Sequence, residues 1–209
     1  MIQKEQKAGN PVDPEHFKSI DRAVDRAQTL VRQLSSFLRK SSDELQEIDA
    51  VQVITDSESL FRQAASRQVQ FETKMAPELP KIKLPDGGLE QVLLNLVINA
   101  RHAMEDQPPP RRLRIVAESV KLRRHQSIFR PEPISGAFVR IRVEDTGHGI
   151  PETEIVKIFD PFYTTKSADQ GTGLGLASVM ETFARHGGWV EVRSIVDRGT
   201  IFDLYAPAL

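Results

Sequence analysis

The sequence predicts an α+β fold, in which an amphipathic helix precedes a domain that mixes helices with strands. Apolar residues recur in alternating steps of three and four between Phe17 and Leu38, which is the spacing of one helical face. A second apolar helical stripe lies within residues 89–100. Residues 112–122 and 137–144 alternate between apolar and polar side chains, as half-buried strands do. Both periodicities occur in one chain, and this places it in the mixed class.

Length and composition limit the functions that the chain can have. Its 209 residues suffice for one full domain with an extension. The formal net charge is −1, so no overall field favours nucleic acid or an anionic membrane as a partner. The absence of cysteine excludes disulfides and thiolate zinc sites, and it suits a reducing compartment. No apolar run has the roughly 20 residues of a membrane span. We therefore expect a soluble, cytoplasmic chain without membrane contact, although a parent protein could still be anchored.

The first 42 residues are predicted to hold a tail and one helix. We expect residues 1–10 to be disordered and residues 11–42 to form the helix, with Asp13 as its N-cap and Pro14 in its first turn. The helix cannot bury its apolar stripe alone, so it should pair with another chain or pack on its own domain. The stripe consists of Phe17, Ile20, Val24, Ala27, Val31, Leu34 and Leu38.

A polar hinge at residues 41–49 is predicted to lead into a domain that covers residues 50–209. Thr55 and Glu58 have the spacing of a capping box, which predicts that a helix begins there. The elements predicted next are a strand at residues 69–75, a short strand at 81–84 and a helix at 86–104.

Two asparagines, Asn95 and Asn99, lie one turn apart on the last of these helices. They lie at the margin of its apolar stripe. Asparagine is unfavourable inside helices, so this pair indicates a task for the side-chain amides. An amide oxygen can bind Mg²⁺ when phosphates supply the negative charge and waters complete the octahedron. The pair therefore indicates a site for a metal-bound phosphate.

The strand at residues 137–144 runs into the sequence Asp-Thr-Gly-His-Gly-Ile, which begins at Asp145. A carboxylate at a strand end can accept a hydrogen bond from an exocyclic amine such as the adenine 6-amino group. Gly147 and Gly149 lack the side chains that would keep the backbone away from a flat base, and Ile150 can pack on the face of the base. This loop indicates an adenine pocket.

A glycine-rich sequence containing Gly171, Gly173 and Gly175 leads into another predicted helix. Free backbone N–H groups at a helix N-terminus can bind phosphate. Neither the Rossmann nor the Walker spacing of glycines is present. Residues 164–172 are small and polar, as expected of a mobile lid. A closing hairpin is predicted within residues 189–206.

Taken in order, these blocks resemble the N, G1, F, G2 and G3 boxes of the catalytic and ATP-binding domain of sensor histidine kinases, which belongs to the Bergerat-type ATPase superfamily. The resemblance covers about residues 50–209. It implies a two-layer α/β sandwich with a mixed, mostly antiparallel sheet, and a role in two-component phosphotransfer. The Phe-Tyr-Thr-Thr-Lys sequence from Phe162 resembles the nitrogen-regulatory and hybrid kinase branch. Residues 17–40 resemble the second helix of the dimerisation and phosphoacceptor hairpin in that branch.

The resemblance also implies roles for individual residues. Asn99 should bind Mg²⁺ with Asn95 beside it at the phosphates, and Lys166 in the lid should reach the γ-phosphate. Asp145 should bind the adenine amine, and Thr200 should reach the base through water. The other residues that the resemblance places at ATP are His102, Gly147, Gly149, Ile150, Gly171, Thr172, Gly173, Leu174, Gly175, Leu176 and Phe202.

Two positions depart from the family pattern in ways that affect the chemistry. Many relatives carry a basic phosphate contact where this chain has His102, and a protonated imidazole could substitute for it. Gyrase-type relatives carry a glutamate base where this chain has Asn95, and an amide cannot deprotonate water. We therefore expect phosphoryl transfer to another nucleophile in preference to hydrolysis.

The family's acceptor histidine, usually followed by an acidic residue, is not evident among the five histidines at positions 16, 102, 125, 148 and 186. Three explanations stay open: the chain is truncated, it acts on another chain, or it is a non-catalytic ATP-binding regulatory and dimerisation module. The interpretation as a kinase implies two partners, a phosphoacceptor helix and a response-regulator receiver domain. It also implies that the chain forms a homodimer through its N-terminal helix. The basic residues between Arg111 and Arg124 are expected to form a solvated face, with a response-regulator contact as the alternative.

Overall fold

The computed structural model describes residues 44–166 and 171–209, which form a layer of helices on one face of a mixed sheet. The predicted tail at residues 1–10 and the predicted helix at residues 11–42 lie outside the described residues, as do residues 167–170 of the predicted lid. The domain boundary at residue 50 remains a prediction.

Four α-helices, seven strands and two short 3₁₀ segments make up the described residues. The helices are α1 (Ala50–Asp56), α2 (Glu58–Ala65), α3 (Gly88–Met104) and α4 (Gly175–Ala184), and the 3₁₀ segments are Glu152–Glu154 and Lys157–Phe159. The strands are β1 (Leu45–Ile48), β2 (Val69–Met75), β3 (Ile82–Pro85), β4 (Arg111–Ser127), β5 (Arg130–Asp145), β6 (Trp189–Ile195) and β7 (Gly199–Pro207).

The main sheet has the strand order β2-β4-β5-β7-β6, and its topology explains how the site is positioned. Strands β2 and β4 are parallel, and every other neighbouring pair in this sheet is antiparallel. A separate antiparallel pair joins β1 to β3. The α+β sandwich with a mixed, mostly antiparallel sheet is confirmed. In the central pair, Asp145 at the end of β5 lies opposite Thr200 near the start of β7, so two predicted site residues meet at one edge.

The core lies between the helices and one face of the sheet. Alternate residues of β5 (Val139, Ile141 and Val143) point into it and are fully or almost fully buried, as the period of two along a strand predicts. Helix α3 contributes most of the opposing surface, and its buried side chains include Leu89, Val92, Leu93, Leu96, Val97 and Ala100. Burying one such aliphatic side chain contributes about 1.5–3 kcal/mol. This packing therefore fixes α3, and with it both asparagines, against the sheet.

The far end of the β4–β5 hairpin crosses the other face of the sheet. His125 of β4 contacts Glu191 of β6 at 2.7 Å, although β5 and β7 lie between these strands. A second apolar cluster forms on this face around Phe138, Trp189 and Tyr205, and the Trp189 and Tyr205 rings stack 4.5 Å apart. Burial of these aromatic rings holds the hairpin over the sheet.

Several local predictions from the sequence are wrong. The helix predicted from Thr55 is present as α2, but it begins at Glu58 after Ser57, and the predicted capping box is absent. Thr55 belongs instead to α1, which begins at Ala50, where the Asp49 carboxylate accepts from the N–H groups of the second and third residues of the helix. The Thr55 hydroxyl lies inside that helix and donates to Val51 O at 2.8 Å. The predicted hinge at residues 41–49 contains strand β1, which pairs with β3.

Two predicted boundaries also shift. Helix α3 begins at Gly88, two residues later than expected, after Gly87 in a left-handed conformation with φ of 67°. The loop predicted between residues 122 and 137 is mostly a continuation of β4 and β5, and its prolines lie within β5. Register shifts after Leu122 and His125 interrupt the pairing there, which explains why the pattern of alternation is lost.

Candidate nucleotide-binding site

A cavity of about 690 Å³ opens between α3, the loop after β5, the segment at residues 163–166 and the start of α4. It has the size and the mixed polar and apolar lining of a small-molecule site. All the residues predicted to contact ATP line it, except Gly147 and Leu174. The predicted residues on its wall are Asn95, Asn99, His102, Asp145, Gly149, Ile150, Lys166, Gly171, Thr172, Gly173, Gly175, Leu176, Thr200 and Phe202.

Asp145 ends strand β5 and is only 6% exposed. Its Oδ1 accepts a hydrogen bond from the backbone N–H of Gly147 at 2.7 Å. Burial raises the pKa of the Asp145 carboxyl to about 6, although the N–H groups of Gly147 and Thr200 act in the opposite direction. A buried carboxylate with remaining acceptor capacity is suited to an amine donor of a ligand.

The glycines of this loop are required for packing against protein, a reason that the sequence did not predict. A Cβ at Gly147 would lie 2.6 Å from the Cβ of Ala103 on α3. Gly149 has φ of +73°, and its Cβ would lie 2.2 Å from Ile195 O at the end of β6, where the β6–β7 turn begins. Both glycines thus let the loop lie between α3 and that turn, so their absent side chains shape the wall of the cavity indirectly.

Ser194 on β6 is a site residue that the sequence reasoning missed. Its hydroxyl accepts from Ile150 N at 2.8 Å and donates to Gly199 O at 2.9 Å, and it lies 2.9 Å from the Thr200 hydroxyl. It therefore ties the loop after Asp145 to the start of β7. The one available signal was a serine on the face of the strand whose other residues, Val190 and Val192, are apolar and buried.

Asn95 and Asn99 face the start of α4 from α3. Asn95 is 8% exposed, and its side chain bridges the two helices, because Oδ1 accepts from Gln91 Nε2 at 3.1 Å and Nδ2 lies 3.5 Å from Gly175 O. Asn99 is half-buried and lines the cavity, and its Oδ1 accepts from Lys166 Nζ at 3.2 Å. Helix α4 has no acidic residue in its first turn, so its N-terminal N–H groups present an uncompensated partial positive charge.

The site fits Mg²⁺ only in company with phosphates. The described residues contain no group of three or more His, Cys, Asp or Glu side chains that could hold a metal ion. The Asn99 amide oxygen is a neutral donor, and Mg²⁺ is commonly held by one or two protein ligands together with substrate phosphates and waters. Asn99 therefore suits an ion that arrives with a nucleotide.

Gly173 positions the loop before α4 against the segment that follows Phe159. Its carbonyl accepts from Phe162 N at 3.0 Å, and a Cβ at this position, where φ is +67°, would lie 2.3 Å from the Phe162 carbonyl carbon. Phe162 itself has φ of 68°, which is unusual for a bulky residue. Leu174, which is buried, precedes the helix and does not line the cavity.

His102 differs from the prediction of a protonated phosphate contact. Burial, followed by the charges of Lys166 and Arg101, lowers its pKa to about 4. The ring is therefore neutral near pH 7. Lys166 also has a lowered pKa, chiefly through burial and then through the charge of Arg101. Two cationic side chains therefore lie close together here, although the charge of Glu105 acts on the pKa of Lys166 in the opposite direction. An anion placed between the cations would be favourable.

Together, the fold and the cavity define the class of ATP-binding α/β sandwiches. The family model for histidine kinase-, DNA gyrase B- and HSP90-like ATPases matches residues 86–209, and the chain belongs to this family. This confirms the resemblance found in the sequence.

The relatives are sensor kinases. The chain is 34% identical to sensor kinase CckA of Brucella abortus, a match that covers 97% of this chain and 21% of CckA. It is also 34% identical to sensor histidine kinase ZraS of Escherichia coli K12, over 88% of this chain and 36% of ZraS. The solved catalytic domain of histidine kinase ThkA is 27% identical, with a TM-score of 0.56, and the match covers 79% of this chain and 96% of the solved catalytic-domain chain.

The chain thus spans 21% of one curated relative and 36% of the other. Within the described residues, no helix combines the length and the apolar character needed to cross a bilayer.

Proposed function

We propose that this chain is the ATP- and Mg²⁺-binding catalytic domain of a two-component sensor histidine kinase, and that it transfers the γ-phosphoryl group of ATP to a histidine on a separate helix. The observation that carries the proposal is that different polar groups lie on two separate parts of the cavity wall. The buried acceptor Asp145 lies on one part of its wall, and Asn99, Lys166 and the start of α4 converge on another. Family membership and the sensor-kinase relatives support it.

The purine is expected to lie against the loop after β5. Ionised Asp145 would accept from the adenine amine, with Ile150 and Phe202 as apolar contacts on the same wall. Thr200, 3% exposed, lies opposite Asp145 in the sheet and would act through water. The buried position of the carboxylate would favour a ligand whose donor matches it, since an unmatched buried acceptor is costly.

The triphosphate is expected to lie between α3 and the start of α4. The backbone N–H groups at Gly175 and the residues that follow would donate to phosphate oxygens. Lys166 would exchange its present contact with Asn99 for the γ-phosphate, which would leave the Asn99 oxygen free to bind Mg²⁺. When bound, the ion would neutralise negative charge on the phosphates during transfer.

Transfer is favoured over hydrolysis because Asn95 cannot act as a base. Its amide is buried and is bonded to Gln91. Glu105 and Asp106 also line the cavity, but Glu105 is six residues beyond Asn99, about 9 Å along the helix axis. A water at the γ-phosphate would therefore lack a nearby carboxylate on α3.

The proposed acceptor lies on another helix because the described histidines are committed elsewhere. His125 contacts Glu191 at 2.7 Å, and His148 Nδ1 lies 2.6 Å from Gly149 O inside the loop after β5. We further propose a response-regulator receiver domain as the onward partner, a homodimer formed by the chain's N-terminal residues, and a cytoplasmic location for this domain.

The test combines nucleotide binding with transfer of label. Calorimetry with Mg²⁺ and ATP should give a binding isotherm that Asp145→Asn and Asn99→Ala each weaken strongly, whereas the exposed control Glu132→Gln should retain it. Label from γ-labelled ATP should appear on a separate fragment that carries a histidine-bearing helix. Tight binding without label would replace the kinase by a nucleotide-gated interaction module, and no binding would reject the site.

A further inference from the structure

Both ring nitrogens of His102 face cationic side chains. Arg101 Nη2 lies 2.7 Å from His102 Nε2, and Lys166 Nζ lies 2.9 Å from His102 Nδ1. Among the described residues Arg101 makes no other hydrogen bond, and its buried Nε has no partner there. The guanidinium is therefore directed at the His102 ring, and its effect should be on that ring.

Both neighbours are donors, so a neutral His102 ring can accept from only one of them. Lys166 Nζ has another acceptor in Asn99 Oδ1, whereas Arg101 has no other among the described residues, so the Arg101 contact decides which nitrogen carries the proton. A neutral imidazole has one N–H donor and one acceptor nitrogen. Arginine has donors only and stays protonated in proteins, so its contact requires an acceptor at Nε2. The proton then lies on Nδ1. The lowered pKa of His102, which keeps the ring neutral near pH 7, agrees with this assignment.

From this geometry we propose that Arg101 is a positioning residue, which holds His102 in the Nδ1–H tautomer so that the ring offers a neutral N–H donor to the phosphates of a bound nucleotide. The inference rests on the proposed function for the identity of the ligand. His102 and Lys166 both line the cavity, so the Nδ1 side of the ring is the side that a ligand would meet.

The same tautomer explains why Lys166 is available to a ligand. An Nδ1–H group cannot accept from a lysine ammonium, so the 2.9 Å contact between Lys166 and His102 brings two donors together. Among the described residues, the Lys166 ammonium then keeps only its hydrogen bond to Asn99 Oδ1 at 3.2 Å. A phosphate oxygen could accept from both Lys166 and His102, and this would turn an unfavourable pair into two hydrogen bonds to an anion.

The tautomer is measured directly by long-range ¹H–¹⁵N correlation spectra of the nucleotide-free protein, with the His102 signals assigned through His102→Ala. Wild type should be in the Nδ1–H form. Arg101→Met, which keeps an unbranched apolar stem, should shift the ring toward the Nε2–H form, and Arg101→Lys, which keeps a donor, should restore Nδ1–H. An Nε2–H ring in wild type overturns the inference, whether or not ATP binds.

Nucleotide affinity supplies the second measurement, since a lost hydrogen bond to a charged group costs about tenfold in Kd. Arg101→Met should weaken Mg²⁺–ATP binding by about that factor, and it should have almost no effect in a His102→Ala background. An equal loss in both backgrounds would show that Arg101 acts through its charge alone, and it would reject the positioning role. If wild type binds no ATP, the proposed function fails, while the spectra still decide the tautomer. If Arg101→Met does not fold, Arg101→Lys and the wild-type spectra decide it.

Discussion

Lys166 Nζ donates to Asn99 Oδ1 at 3.2 Å, so the lysine proposed to reach the γ-phosphate contacts the amide proposed to bind Mg²⁺. The two groups cannot both make this contact and serve a metal-bound triphosphate. Nucleotide binding must therefore exchange one bond for others, and the lysine must move relative to α3. The exchange is favourable because a charge-assisted bond to phosphate is stronger than a bond to a neutral amide.

Replacing Lys166 should weaken the binding of ATP more than the binding of ADP. Lys166→Met should weaken ATP binding by about tenfold, since it removes a charge-assisted hydrogen bond. ADP lacks the γ-phosphate, so its affinity should change by less than about twofold on the same reasoning. Calorimetry with both nucleotides makes the comparison, and Lys157→Met, at an exposed position of the neighbouring 3₁₀ segment, is the control. An equal loss for ATP and ADP would place Lys166 away from the γ-phosphate.

Much of the site could be predicted because its signals are local. Asn95, Asn99 and Asp145 are polar residues at positions where a helix stripe or a strand ends, and the chemistry that they offer follows from their type. The charge of His102 could not be predicted, because it depends on burial and on Lys166, which is 64 residues away in sequence. The packing role of Gly147 depends on Ala103 for the same reason.

Much of the fold could also be predicted from local patterns in the sequence. Alternation identified β2 and the proximal parts of β4 and β5, but it gave no signal for the distal hairpin, where His125 meets Glu191 on a strand that is not its neighbour. The helix predicted from Thr55 begins instead at Glu58, because Thr55 belongs to the preceding helix, which Asp49 caps. In both cases a contact outside the local pattern decided the structure.

The pH dependence of stability provides a second prediction. The folded-state pKa of Asp145 is raised to about 6, from an ordinary value of 3.8, chiefly by burial. The stability that its protonated form contributes is therefore fully present below about pH 3.8 and is lost as the pH rises through about 6. The stability difference between wild type and Asp145→Asn should fall over this window by at most about 3 kcal/mol.

The contribution of His102 to stability changes with pH in the opposite direction to that of Asp145, so the measurement can distinguish the two groups. Its folded-state pKa is lowered to about 4 from 6.5, so its contribution is present above about pH 6.5 and is lost as the pH falls toward 4. Urea unfolding of wild type, Asp145→Asn and His102→Gln across this range gives the two terms separately. Parallel profiles for wild type and Asp145→Asn would mean that the Asp145 carboxyl titrates normally.

The close approach of Ile195 to Gly149 predicts that Gly149→Ala lowers the free energy of unfolding by more than backbone strain alone would. Gly149→Ala puts a Cβ 2.2 Å from Ile195 O at a residue with φ of +73°. Gly87 has a similar φ of +67° but no atom within 4 Å of such a Cβ, so Gly87→Ala is a matched control for strain. The control should cost about 1 kcal/mol. Gly149→Ala should cost at least about 2 kcal/mol and should also weaken ATP binding, because the loop after Asp145 must shift.

Chemical denaturation and calorimetry measure these two effects. If both alanine variants lose the same stability and bind ATP normally, the contact between the loop and the β6–β7 turn does not shape the site.

The choice between transfer and hydrolysis can be tested at Asn95. Asn95→Glu places a carboxylate on α3 one turn before Asn99, where gyrase-type relatives carry their base. General-base catalysis contributes about 10²–10⁴-fold, so even a partly aligned carboxylate should raise ATP hydrolysis by about tenfold or more. The side chain at this position is 8% exposed, so burial will raise the pKa of the new carboxyl, and hydrolysis should increase with pH as it ionises.

Asn95→Gln is the matched control for this change, because it has the same length as glutamate and keeps the amide. It removes the contact with Gly175 O in the same way but cannot take a proton from water. Phosphate release without an acceptor measures hydrolysis in both variants. If glutamine accelerates hydrolysis as much as glutamate does, the gain comes from the entry of water between α3 and α4, and Asn95 does not limit hydrolysis through its lack of basicity. A gain confined to glutamate, with a pH profile that rises through the carboxyl pKa, would mean that this one amide keeps the domain a transferase.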